Sequence, residues 1–94
     1  VLYGPPNDDP LVRPDGIVRQ GQTLFVAENL ASRIAVIDIN PSAGLGTWQE
    51  VLPVMGDDFT TPATLALFGS AVYTVDAHLL SPFVGPYKVF KIER

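Results

Sequence analysis

The chain has 94 residues, of which 47% are hydrophobic, and its acidic and basic side chains leave a net charge of −4. This length allows one small domain, and the acidic balance argues against nucleic acid or an anionic membrane as the main partner. The absence of cysteine and the single histidine exclude disulfides, thiolate catalysis, cysteine zinc sites and multi-histidine metal sites. Nine prolines and eight glycines favour short strands joined by turns over a helical bundle.

Seven segments are predicted to be strands, because each is short and rich in Val, Ile, Phe, Tyr and Thr. In chain order they cover residues 14–21, 23–28, 33–39, 47–52, 62–69, 71–76 and 86–92. The segment 33–39 is apolar on both faces, which predicts a sheet buried between neighbours. The segment 47–52 is the most polar of the seven, as is typical of an outer edge.

An internal repeat relates these strands. Residues 14–28 recur as residues 62–76 without a gap, at a constant offset of 48 residues, so that Pro14 corresponds to Pro62. The third strand recurs after a loop that is five residues longer in the second copy. Four short antiparallel strands per unit, this period and burial on both faces indicate a β-propeller blade. A β-sandwich of seven strands is the alternative.

We therefore predict an all-β chain of two four-stranded antiparallel blades of a β-propeller. Residues 14–54 form a complete blade, residues 62–94 a second blade without its outer strand, and residues 1–13 the end of a preceding blade plus a loop. Propellers use about 4–8 blades. We expect this chain to be a fragment of a longer protein, or a subunit that closes by association, with the remaining blades as its partners.

Several motifs carry a resemblance to a known family. They are Pro14-Asp15-Gly16-Ile17, Leu24–Ala27 and Ser32–Ile37 in the first copy, with Phe68-Gly69 and Val72-Tyr73 in the second. Together they resemble the late blades of the senescence marker protein/gluconolactonase/luciferin-regenerating-like family. This resemblance implies a six-bladed propeller with a calcium- or zinc-dependent lactonase or ester hydrolase activity.

Asp15 is the candidate catalytic and metal-binding residue. The resemblance implies that it is a metal ligand and a candidate general base, while a Glu and two Asn from earlier blades supply the other ligands. The second copy has Ala63 at this position and supplies no ligand. The residues alone favour a turn in which the Asp15 side chain accepts a backbone N–H.

Three further residues are expected at the rim of the same pocket. In an up-and-down blade, the loop entering the first strand and the loop joining the second and third strands lie on one face, which collects Asn29, Asp76 and His78. His78 is a base, a substrate-orienting group or a solvated loop residue. Asp76 recurs as Glu28 in the first copy, which favours a structural role such as capping a turn over an acidic rim.

Two functions follow from these observations. The first is a part of a metal-dependent hydrolase whose substrate is a small lactone or ester. The second is a non-catalytic propeller, either a binding module or a scaffold assembled from several chains, that uses its loop face. The apolar loop segment 79–84 favours the second function, because exposed apolar patches often mark contacts. We expect neither a nucleic acid nor a membrane as a partner, since no apolar run reaches the ~18 residues of a membrane-spanning helix.

Overall fold

The computed structural model describes residues 2–3, 11, 13–54, 61–77 and 88–93. In these ranges the chain is all-β, as predicted, with eight strands and one three-residue 3₁₀ helix, η1. The elements are β1 Leu2–Tyr3, β2 Pro14–Gln20, β3 Thr23–Glu28, η1 Asn29–Ala31, β4 Arg33–Asn40, β5 Leu45–Pro53, β6 Pro62–Phe68, β7 Ala71–Asp76 and β8 Val89–Glu93. None of the described segments is a helix with the length and apolarity needed to cross a membrane.

The strands form two sheets. The first sheet has the order β1-β5-β4-β3-β2 and the second the order β6-β7-β8. Strands β2 to β5 are antiparallel, as are β6 to β8. Within residues 1–13, which were predicted to be the end of a preceding blade plus a loop, the structure describes strand β1, which lies parallel to β5 with Leu2 opposite Gly46. Strand β5 was predicted to be the outer edge of its sheet. In the structure the short strand β1 lies beyond it and forms that edge.

The internal repeat extends to the hydrogen-bonding register. The β2–β3 and β6–β7 hairpins both show an irregularity after their first residue pair, and each closes on a glycine with a φ of 62°. The corresponding pairs are Pro14 with Glu28 and Pro62 with Asp76, then Ile17 with Val26 and Leu65 with Thr74. Every position differs by 48 residues between the copies, so the offset found in the sequence is also an offset in backbone structure.

The two sheets pack face to face around the main core. Its buried side chains come mostly from the first sheet: Phe25, Ala27, Ile34, Val36, Leu52 and Val54, with Val72 from the second. The partly buried side chains against them come mostly from the second sheet: Leu65, Leu67, Phe90 and Ile92, with Val18 from the first. The period of two along each strand brings these side chains to the facing sides.

The edge strands β2 and β6 of the two sheets approach closely at Gly16. A Cβ atom at this position would lie 2.3 Å from the carbonyl oxygen of Ala63 and 2.7 Å from the Cα of Thr64. Both are backbone atoms, which cannot rotate away as a side chain does. The glycine of the Pro-Asp-Gly motif therefore sets the distance between the two sheets at this point.

The first sheet is buried on its other face as well. Val26, Ala35, Ile37 and Trp48 are buried there, and Leu11 packs against them. The Arg33 guanidinium carbon lies 5.6 Å from the centroid of the Trp48 ring, a cation–π distance. The two-sided burial predicted for residues 33–39 is thus present in β4, where Ile34 to Ile37 are all buried.

No described residue packs over one side of the second sheet, which we call the open face. Burial alternates along β6 and β8. The more exposed residues of this sheet that share the outward side are Thr64, Ala66, Phe68, Tyr73, Val75, Val89, Lys91 and Glu93. Phe68 is 77% exposed and Val89 is 68% exposed. Glu93, 3.0 Å from the Lys91 ammonium, raises the pKa of Lys91 above its ordinary 10.5 by hydrogen bonding and charge attraction. Neither sheet closes into a ring among the described residues.

Candidate functional site

The start of β2 and the start of η1 bring Asp15 and Asn29 together. The Asn29 backbone N–H donates to the Arg13 carbonyl at 3.2 Å, which fixes the loop after β3 against the turn before β2. Arg13 has a φ of 49°, so the chain enters β2 through a left-handed turn. The Asn29 side-chain Nδ2 then donates to Asp15 Oδ2 at 3.4 Å.

The two side chains differ in exposure. Asp15 is exposed, whereas Asn29 is only 5% exposed. The Asn29 amide oxygen Oδ1 is buried and has no hydrogen-bond partner among the described residues. Buried polar atoms are nearly always partnered, so this orphaned acceptor stands out beside an exposed carboxylate. The pair offers oxygen acceptors to an electropositive group.

The second copy provides an internal comparison for this site. Ala63 and Ala77 occupy the positions of Asp15 and Asn29. The equivalent backbone hydrogen bond still forms, from the Ala77 N–H to the Thr61 carbonyl at 3.0 Å. The repeat therefore folds the same way without the polar pair, which the backbone of this unit does not require.

Asp76, predicted at the pocket rim, is 3% exposed. Its Oδ1 accepts hydrogen bonds from the Thr61 backbone N–H at 3.1 Å and from the Thr61 hydroxyl at 3.4 Å. These bonds tie the chain entering β6 to the end of β7. The carboxylate is thus engaged inside the protein, in the manner of a cap on the preceding turn.

Glu28, the equivalent of Asp76 in the first copy, is fully buried. The Arg33 guanidinium donates to both of its carboxylate oxygens, at 2.6 Å and 3.0 Å. Sequence reasoning did not find this bidentate pair. The signal was present, because Glu28 and Arg33 are opposite-charged and face each other across the β3–β4 hairpin.

His78, the remaining predicted rim residue, lies outside the described residues, as does the apolar segment 79–84. Within the described ranges no group of three or more His, Cys, Asp and Glu side chains converges. The site that the structure does assemble is the Asp15–Asn29 pair. No family model, no curated protein and no solved structure matches this chain.

Proposed function

We propose that this chain forms two blades of a β-propeller that belongs to a metal-dependent hydrolase of small lactones or esters. In this proposal Asp15 is a ligand of a calcium or zinc ion and a candidate general base. The observation that carries the proposal is the exposed Asp15 carboxylate at the start of β2, beside a buried amide oxygen that has no hydrogen-bond partner among the described residues.

The two sheets support the propeller over a self-contained sandwich. Each face of a propeller blade packs on a neighbouring blade, whereas an antiparallel sheet with one solvated side carries polar residues there. The first sheet is buried on both faces. The open face of the second sheet presents Phe68 and Val89 to solvent, which suits coverage by a further sheet.

The donor atoms of the site suit a divalent cation. Carboxylate and amide oxygens are the ligands that hard cations such as Ca²⁺ take in proteins. The buried Asn29 oxygen, which has no hydrogen-bond partner among the described residues, supports the proposal because it is an acceptor beside Asp15. The resemblance to the lactonase family assigns the other ligands to blades that precede this chain.

The roles of Asp15 follow from its two carboxylate oxygens. Oδ2 accepts a hydrogen bond from Asn29, which orients the carboxylate. Asp15 Oδ1 accepts no hydrogen bond from the described residues, and is available to a ligand or to the proton of a water molecule. A bound divalent ion would supply polarisation of the substrate carbonyl and acidification of a water.

Hydrolysis of lactones and small esters by the full-length protein tests this proposal. We expect turnover in the presence of Ca²⁺ or Zn²⁺, loss of turnover on chelation, and a decrease in kcat/KM of about 100-fold or more for Asp15→Ala. Asp38→Ala is the matched control, because Asp38 is an exposed carboxylate at the opposite end of the same sheet. Wild-type turnover in Asp15→Ala would contradict the proposed role.

A non-catalytic binding module or scaffold is the second candidate, and the apolar open face favours it. In that case the full-length protein hydrolyses no lactone or ester with either metal. The open face and the loop face then serve assembly with other chains. The same hydrolysis assay therefore separates the two functions.

A further inference from the structure

We propose that β8 is an addition site for one extended strand of a partner polypeptide. The partner strand pairs antiparallel with the outer edge of β8 and places a large apolar side chain in the groove beside Phe90. This surface is separate from Asp15, and strand addition here does not depend on a bound cation.

The repeat shows that the second sheet has one strand fewer than the first copy among the described residues. Val36-Ile37 of β4 corresponds to Val89-Phe90 of β8. β4 lies between β3 and β5, whereas β8 pairs with β7 alone and forms an edge of its sheet. The strand that β5 supplies in the first copy therefore has no described counterpart in the second.

The backbone hydrogen bonds show which groups of β8 face this outer edge. The Asp76 N–H donates to the Lys88 carbonyl at 2.9 Å, and in an antiparallel ladder the residues that bond one neighbour alternate with those that do not. Every second residue of β8 therefore bonds β7, and the residues between them direct their N–H and C=O groups away from it: Val89, Lys91 and Glu93. Such a row of backbone groups is a template for strand addition.

A largely apolar groove lies beside the same edge. It is lined by Leu52 and Pro53 at the end of β5 and by residues 90–93 of β8, and its volume is about 290 Å³. One water molecule takes about 30 Å³ in the liquid, so the groove has room for a large side chain. Phe90 and Ile92 are only partly buried, and a side chain in the groove would cover them further.

The pairing of β4 with β5 indicates what the partner strand presents. Trp48 lies opposite Ile37, both are buried on the same side of the first sheet, and Ile37 corresponds to Phe90 in the repeat. A strand added to β8 in the same register directs the side chain opposite Phe90 towards Leu52 and Pro53. A single strand suffices for this, as β5 does for β4, whereas a second copy of the chain would bring two packed sheets to the same groove.

Fluorescence anisotropy of a labelled peptide with the sequence of β5, Leu45–Pro53, titrated with the 94-residue chain, tests the inference. We expect saturable binding that weakens about tenfold or more when the peptide carries Trp48→Ala, because tryptophan often dominates binding energy. Lys91→Pro in the protein should weaken binding of the unchanged peptide by about tenfold or more, since proline is tolerated on an edge but donates no hydrogen bond to an added strand. Lys91→Ala is the matched control and should bind the peptide like wild type.

Two N-methylated peptides make the test independent of protein folding. The Ile39 N–H donates to the Gln22 carbonyl on β3, so the neighbouring Asp38 bonds its β5 partner Thr47. Methylation of the Thr47 nitrogen should therefore remove a hydrogen bond to β8 and weaken binding about tenfold. Methylation of the Trp48 nitrogen, which faces away from β8 in this register, should have a smaller effect.

Each contrary result has a definite meaning. No binding of the β5 peptide, equal binding of the two methylated peptides, or wild-type affinity in Lys91→Pro would overturn strand addition at β8. A dimer in light scattering that Lys91→Pro dissociates would show that a second copy of the chain occupies the edge instead. None of these results changes what the hydrolysis assay says about Asp15.

Discussion

Gly16→Ala tests whether β2 and β6 touch as the structure shows. The added methyl group would lie 2.3 Å from the Ala63 carbonyl oxygen, so β2 and β6 must move apart by about 1 Å to remove the overlap. Such a shift also loosens the contacts of Leu65 and Leu67 with the main core. We expect Gly16→Ala to destabilise the protein.

The magnitude follows from two opposing effects. Forcing an extra methyl group into a close-packed contact costs about 1–3 kcal/mol. Replacing glycine by alanine lowers the conformational entropy of the unfolded chain, which stabilises the folded protein by about 0.4–1 kcal/mol. With the middle of each range, the net decrease in the free energy of unfolding is about 1–2 kcal/mol. With a urea dependence of about 1 kcal/mol/M for a small domain, the midpoint falls by about 1–2 M.

Urea denaturation followed by circular dichroism measures this change. Gly21→Asn is the control, because a Cβ at Gly21 meets no atom within 4 Å and asparagine tolerates its left-handed backbone. Ala63→Gly should not rescue Gly16→Ala, since the clash is with the Ala63 carbonyl oxygen rather than its side chain. An unchanged or higher midpoint for Gly16→Ala would refute the close approach of β2 and β6.

Two further predictions concern the buried acids. Asp76→Ala should lower the free energy of unfolding by about 1–3 kcal/mol, because it removes the acceptor for the buried Thr61 N–H; Asp76→Asn, which keeps an acceptor oxygen, should lose less in the same denaturation assay. Arg33→Ala should cost about 3 kcal/mol, because it takes the guanidinium from the buried Glu28 carboxylate. Equal stability of Arg33→Ala and wild type, measured by thermal unfolding, would show that the pair contributes nothing.

Local patterns in the sequence were sufficient to predict the positions of most of the strands. The predicted segments 23–28 and 71–76 coincide with β3 and β7, because β-branched and aromatic runs there follow turn glycines. The gapless repeat is matched by a common hydrogen-bonding register in the two hairpins. Strand order also predicted that Asp15 and Asn29 share one end of the blade, where the structure places them in contact.

Non-local features could not be read from the sequence. The parallel pairing of β1 with β5 joins residues more than 40 positions apart, and no local pattern specifies it. The sequence favoured a turn at Asp15, and it did not reveal that the backbone of β6 leaves no space for a Cβ at the neighbouring Gly16. The unpartnered state of the Asn29 oxygen depends on how the two loops pack, which composition and spacing do not reveal.

The open face of the second sheet offers the most direct test of the propeller. Phe68→Cys places a thiol where the structure shows a side chain that is 77% exposed, and the 94-residue chain has no cysteine of its own. If a further blade covers this face, a thiol-specific reagent should label the thiol in full-length Phe68→Cys at least 100-fold more slowly than the thiol of a short unfolded peptide. Labelling at the peptide's rate would show that no further sheet packs there and would contradict the propeller.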